Sequence, residues 1–256
     1  MKIQKFTKIL ILLFILLFSE IKAQDVLIVA DEIPAMEVLA KFLKNEEGLN
    51  SKIIVQSELP NSITAFKAVI VYIHKDLAVI PEKAFIDYAL NGGKLILLHH
   101  SISSAKRKNE LWFPFMGIDL PKKEASLEAY KYLGNVDIDV VNLAPKHFIT
   151  THKINYSQKI PYTKEGKKKG KQIDGFSLKN TEAYINHTFL SPRTILMGFK
   201  INDETGKTLM QNRSAWCMNV GKGWLFYSQP GHTISDFENP TYSRIIANAL
   251  IFNPNN

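Results

Sequence analysis

Four short, unbroken apolar runs constrain this chain more than any other feature of it. They are Asp25-Val-Leu-Ile-Val-Ala30, Lys52-Ile-Ile-Val-Gln56, Ala68-Val-Ile-Val-Tyr-Ile73 and Lys94-Leu-Ile-Leu-Leu-His99. A strand buried on both faces reads as such a run, because neither side of its pleat meets water. The segments between them have helical spacing. Pro34 opens one helix with Met36, Leu39, Ala40 and Leu43 on one face, stopped by Gly48 and Asn50. Pro81 opens another through Phe85, Tyr88, Ala89 and Leu90, stopped by Gly92-Gly93. Strands alternating with helices predict an α/β fold: a doubly wound, mostly parallel sheet with helices on both faces. Ligands of such sheets bind beyond the carboxyl ends of the strands. His74, His99 and His100 stand at those ends.

The chain has 256 residues, 46% hydrophobic and 22% charged, which excludes wholesale disorder and leaves room for one large domain or two small ones. No internal repeat and no linker divides it, so residues 24–256 read as one domain. Residues 1–23 have a basic start, an apolar run from Ile9 to Phe18 and a short polar end at Ala23. This is the pattern of a secretory signal peptide, and a ten-residue run is too short to span a bilayer. The expectation is an exported protein, periplasmic or extracellular, with no stable membrane anchor after cleavage. A single cysteine, Cys217, excludes a disulfide framework and a cysteine-based zinc site. Its mid-strand setting reads as core packing rather than a reactive thiol.

The formal charge of +8 suggests a polyanion partner until its location is traced. Cleavage of the leader removes Lys2, Lys5, Lys8, Lys22 and Glu20 and lowers it to +5. Of that remainder, +4 sits in one glycine-bearing loop, residues 164–171 (KEGKKKGK). That loop reads as solvated, with no interleaved aromatic residues to stack bases. No nucleic-acid partner is expected.

Residues 101–190 are less regular. Order returns with Thr194–Phe199 as a strand, then Ser214–Val220 and Trp224–Ser228 flanking a Gly221-Lys-Gly223 turn, then a helix from Pro240. The chemistry-bearing candidates are few. His99-His100-Ser101 follows a buried strand, where a histidine can serve as base, proton donor or metal ligand. Ser101 lacks a G-x-S-x-G elbow. His232 follows an aromatic strand and is presented by the Pro230-Gly231 turn, with Asp236 and Glu238 close by as helix acids or orienting carboxylates. Glu182 on its own reads as a solvated acid or a helix cap.

Several segments together resemble the ThuA-like family of trehalose-utilisation proteins. They are Gly92-Gly93-Lys-Leu-Ile-Leu-Leu-His99, His147-Phe-Ile-Thr150, Thr181-Glu182-Ala-Tyr184, Trp216, Val220-Gly-Lys-Gly-Trp-Leu-Phe-Tyr227, Gly231-His232 and Phe237-Glu-Asn-Pro-Thr-Tyr242. The resemblance implies a flavodoxin-like fold akin to class I glutamine amidotransferases. The sequence departs from the family in Phe148 for proline, in Thr181 for an acid, and in a short loop after the first strand that lacks a histidine.

The resemblance implies an exported carbohydrate-processing protein doing acid–base chemistry on a keto-disaccharide or related sugar. His99, His232 and Glu182 are the expected catalytic set, and the same three could bind a divalent metal such as zinc. Trp216, Tyr227, Tyr184 and His100 are the expected sugar contacts, though Trp216 and Tyr227 also fit core positions. Glutaminase activity is excluded, because no cysteine stands at the strand-to-helix elbow near Leu98 to Ser101. A non-catalytic sugar-binding or assembly module is the alternative, and self-association is left open.

Overall fold

The computed structural model describes residues 25–122 and 128–254. The leader expected at 1–23 lies outside them. No helix of the described residues is long and apolar enough to cross a membrane.

The four apolar runs form β1 (Val26–Ala30), β2 (Ser51–Ile54), β3 (Ala68–Tyr72) and β4 (Lys94–Leu98). They pair in parallel in the order β2-β1-β3-β4. Helices α1 (Ile33–Glu47) and α2 (Val79–Leu90) make the crossovers. Met36, Leu39 and Leu43 of α1 pack on one face of the sheet, with Ile28 and Ile70. Phe85, Ile86 and Ala89 of α2 pack on the other, with Leu27 and Val69. Helices therefore cover both faces of this half, as the apolar runs require.

The sheet continues where the sequence gives no apolar run. Two short helices, α3 (Trp112–Met116) and α4 (Phe148–Thr151), and strand β5 (Ile118–Asp119) interrupt the middle of the chain. Around them lie β6 (Lys131–Asn142), β7 (Gln158–Tyr162), β8 (Lys171–Ile185) and β9 (Thr188–Phe189). The chain then forms β10 (Thr194–Asn202), β11 (Thr208–Val220), β12 (Gly223–Ser228), α5 (Ile234–Glu238) and α6 (Pro240–Ile251). The described residues make a ten-stranded sheet, β2-β1-β3-β4-β12-β11-β10-β6-β8-β7, and a small β5-β9 pair. Strand β12 lies parallel to β4, and every pairing beyond it is antiparallel.

The expectation of a mostly parallel sheet is corrected: the sheet is mixed and largely antiparallel. Parallel neighbours need long crossovers, and only the β1–β4 region carries them. From β10 onward the connections are short. Strands β11 and β12 are joined through Gly221 and Lys222 alone, as the hairpin signal predicted. The region read as irregular, 101–190, holds the longest strand, β8.

Candidate functional site

The site forms where β3, β4 and β12 end. Strand β4 runs straight into a tight 3-10 turn at His99–Ile102. His99 has φ 32°, in the left-handed region that non-glycine residues seldom adopt, so the chain makes a sharp elbow there. Three contacts hold it. The Tyr227 hydroxyl donates to His99 O at 3.2 Å. His99 Nδ1 lies 2.5 Å from Gln229 O. The Tyr184 ring lies 4.8 Å from the imidazole. No cysteine stands at this elbow. Cys217 lies mid-strand in β11, buried, its thiol pushed up to about 12 by burial.

A carbonyl oxygen only accepts, so Nδ1 of His99 carries a proton and its lone pair, if it has one, is on Nε2. Nε2 sits 3.3 Å from Glu182 Oε1, and His99 is fully buried. A lone pair facing a carboxylate is repulsive. The arrangement calls for a proton or a cation between the two groups. A ring N–H tied to a backbone carbonyl with the other nitrogen turned inward is the usual arrangement of a metal-ligating histidine.

Glu182 arrives from the far half of the sheet. The β6–β8 register slips twice, between Leu133 and Val136 and between Val136 and Ile138. Asn135 (φ 54°) and Asn180 (φ 49°) adopt left-handed conformations at this irregularity. Bulges bend strands. The end of β8 then meets the parallel strand ends: Thr181 Oγ1 donates to Asp236 Oδ2 at 2.6 Å, and Glu182 faces His99. Burial would raise the Glu182 carboxyl, but the close His99 imidazole and the Tyr184 hydroxyl outweigh it and hold it below the usual range. The Tyr184 hydroxyl is pushed up by burial and by Glu182, so it stays a donor.

His232 follows Gly231, whose φ of 109° and tight contacts (an added Cβ would lie 2.5 Å from Tyr242 Oη) admit no larger residue. Asp236 on α5 accepts from the backbone of His232 (2.8 Å) and Thr233 (3.1 Å), fixing the turn. The His232 Nδ1 is buried and unpartnered. Burial and the neighbouring His99 push the His232 imidazole down. His100 is buried with both ring nitrogens unpartnered, and burial followed by the surrounding imidazoles pushes it far down, so it is neutral. Ligand atoms of His99, His100, Glu182 and His232 all lie within 4.8 Å of one another.

Of the sugar contacts expected, Tyr184 and His100 border this cluster. Trp216 and Tyr227 are corrected: both are fully buried in the core on the α2 face and offer no ring face to a ligand. Their alternation in β11 and β12 reflects the inward side of the strands, and Tyr227 serves the site only through its bond to His99 O.

Sequence reading placed His74 at a strand end but missed the layer that Asp31, Glu32 and Tyr72 form with it. His74 stacks on His100 (ring centroids 4.0 Å, planes 6° apart), and its Nδ1 lies 2.8 Å from Glu32 Oε1. The Tyr72 hydroxyl is 3.1 Å from Glu32 Oε2 and 3.1 Å from His232 O. Asp31 accepts the backbone N–H groups of His74 (2.7 Å) and Lys75 (2.8 Å). The short loop after β1 lacks the family's histidine, but Asp31 and Glu32 bring acids to the same strand ends. Their place just past a buried strand was the one signal available for them. Thr181, another departure, fits its setting: an acid at that position would be buried against Asp236.

A half-parallel, half-antiparallel sheet with histidines and a carboxylate at its strand ends defines an α/β domain with a polar centre at the switch between its halves. The chain belongs to the ThuA family, described as trehalose utilisation, whose model matches residues 25–253. The family supports a role in carbohydrate utilisation in general. A ThuA-like protein from Bacteroides uniformis has the same fold, with 13% identity, TM-score 0.60 and 91% of each chain covered. The cold-adapted β-galactosidase of Rahnella sp. R3 is similar at 10% identity and TM-score 0.53, over 87% of this chain and 30% of that one. The exo-β-1,4-mannosidase of Opitutaceae bacterium strain TAV5 is similar at 10% identity and TM-score 0.52, over 91% and 37%. These likenesses concern the fold alone. No curated protein matches the sequence.

Proposed function

We propose that this protein is an exported carbohydrate-processing enzyme whose centre is His99, Glu182 and His232, acting by acid–base chemistry on a keto-disaccharide or related sugar. The observation that carries the reading is the convergence of unpartnered imidazole nitrogens and an ionised carboxylate at one point. Orphaned buried polar atoms are costly unless something occupies the space between them. The donor set, imidazoles with a carboxylate, fits a divalent cation such as zinc. His99, Glu182 and His232 would hold it, with His100 as a further donor. A bound zinc ion supplies a Lewis acid that polarises a sugar oxygen.

The protein's own groups do the rest. Gln229 O fixes the His99 tautomer, so only Nε2 is available for proton or cation. Tyr184 keeps Glu182 ionised and oriented. His232 is the more exposed imidazole and is kept neutral, as a base near neutral pH requires. In the metal-free centre His99 and His232 divide the roles of polarising the oxygen and moving the proton; with a cation held on these imidazoles, the polarising role would pass to the cation.

The test is metal analysis of the purified mature protein, paired with turnover of a ketosugar by the wild type and by the double variant His99→Ala, His232→Ala. Stoichiometric metal and turnover in the wild type, both lost in the variant, are expected. Turnover surviving in the variant would overturn the assignment. A second reading, a non-catalytic sugar-binding or assembly module, is favoured by one observation: in the β-galactosidase and the mannosidase this fold spans only about a third of a larger chain. Sugar binding without turnover in the metal-loaded wild type would select it.

A further inference from the structure

The lysine-rich loop is exposed, as expected, but it is not a featureless one. It is the tip of the β7–β8 hairpin. Lys164, Lys167, Lys168, Lys169 and Lys171 line a cavity of about 770 Å³ together with Tyr162 at its base. Of the acids nearby, Asp174 lines the cavity but is paired with a lysine from outside it, and Glu165 is turned away. Glu165, from the same loop, pairs with Arg213 and accepts the backbone N–H of Asn212 at 2.7 Å. It borders a different cavity, on the other side of the loop. Asp174 is engaged at 2.6 Å by Lys159, a lysine from β7. The loop thus sorts its charges, lysines to one side and glutamate to the other. Gly166, at φ 74°, makes the turn between them.

Five like charges around one concavity repel, and the repulsion is relieved when an anion enters. Sorting concentrates the positive potential that diffuse surface lysines would spread. We propose that this cavity binds an anionic saccharide, an oligosaccharide bearing several carboxylate or sulfate groups. Two features favour a saccharide over a nucleic acid. Tyr162, the aromatic residue at the cavity, is buried at 1% exposure and presents no stacking platform for bases. The family's role is in carbohydrate utilisation. The site is separate from the histidine centre. Lys171 and Glu182 stand at opposite ends of β8, so roughly 30–35 Å of strand lies between them. The inference therefore stands whether or not the proposed chemistry at that centre is right.

Binding of the full chain to two charged probes, a heparin oligosaccharide (sulfated) and an oligogalacturonate (carboxylated), tests it, with neutral dextran as control. Affinity for at least one charged probe is expected, falling steeply as salt rises. The triple variant Lys167→Ala, Lys168→Ala, Lys169→Ala should weaken it at least tenfold. A matched variant of exposed lysines elsewhere, Lys44→Ala, Lys52→Ala, Lys222→Ala, should leave it within twofold. Thermal unfolding of both variants checks that they fold, and an exposed loop predicts no change. The two probes distinguish sulfate from carboxylate recognition. Equal loss in the two variants would reduce the effect to net charge and overturn the proposal. So would binding to neither probe, or tighter binding to a single-stranded oligonucleotide of equal charge.

Discussion

The two halves of the sheet solve the problem of burial differently. Strands β1 and β3 are buried at every position, because helices cover both faces. In β6 and β8 buried and exposed positions mix along the strand, and each strand carries a left-handed asparagine. The parallel half is a rigid platform that ends in histidines. The antiparallel half is an adaptable arm that supplies the one carboxylate those histidines lack. A site at such a junction needs both: a frame that fixes three imidazoles, and a strand able to bend toward them.

The largest expected effect breaks the link between the halves. Glu182→Gln keeps the shape and the hydrogen-bonding capacity but removes the charge facing His99. Turnover of a ketosugar should fall by about 10²–10⁴-fold, and metal uptake should fall with it, while the denaturation midpoint at neutral pH moves little. Unchanged turnover would detach the arm from the chemistry. The next effect is on stability. Leu97→Ala, in the fully covered half, should cost about 2–5 kcal/mol. Tyr132→Ala in β6, where the ring is 63% exposed, should cost under about 1 kcal/mol by the same measure, because little area leaves water. Equal costs in urea denaturation would show that the two halves are packed alike.

The contrast also explains what could be read from the sequence. Continuous runs such as Val26–Ala30 and Ala68–Tyr72 have one interpretation at that length, so β1–β4, α1 and α2 were legible. So was α6, from its proline start and apolar spacing. The run Lys131–Asn142 was not: Gly134 and Asn135 break its alternation in the middle, where the bulge lies. Strands β10, β11 and β12 were legible, with the hairpin between the last two, but the missed strands β6, β7 and β8 extend the antiparallel pairing, which is why the sheet was read as mostly parallel. His99, His100 and His232 were visible because strand ends concentrate function in α/β sheets. Glu182 entered only through the family resemblance, since nothing local distinguishes it from a solvated acid. The Glu32–His74 contact joins residues 42 positions apart, and no local pattern encodes it.

A third prediction concerns pH. His187, just after β8, is wholly buried with both ring nitrogens unpartnered, and burial, with Arg213 and Arg193 nearby, pushes it well below its ordinary value. A base whose folded value is depressed binds its proton more readily when unfolded. Its contribution is therefore fully present above about pH 6.5 and is lost as pH falls below that. The slope should approach ~1.4 kcal/mol per pH unit for this one proton. His187→Gln should flatten the loss of stability between pH 6.5 and pH 5, relative to wild type, in urea titrations at each pH. An unaltered slope would place the acid sensitivity elsewhere, His100, His147 and His232 being the other imidazoles that burial depresses.

The smallest effect sharpens the comparison most. Asn180 holds φ 49° just before Thr181 and Glu182, and its backbone N–H donates to Asp137 at 3.0 Å. Asparagine tolerates this conformation, glycine adopts it freely, and alanine disfavours it by about 1 kcal/mol. Asn180→Gly should therefore leave stability nearly unchanged, and Asn180→Ala should lower it by about 1 kcal/mol in chemical denaturation. If the left-handed residue is what turns β8 toward the histidines, Asn180→Ala should also weaken metal uptake beyond its small cost in stability, and Asn180→Gly should restore it. If both variants bind metal as wild type does, the bend is imposed from the other end, by Thr181 on Asp236. Thr181→Val would then be the substitution that separates arm from platform.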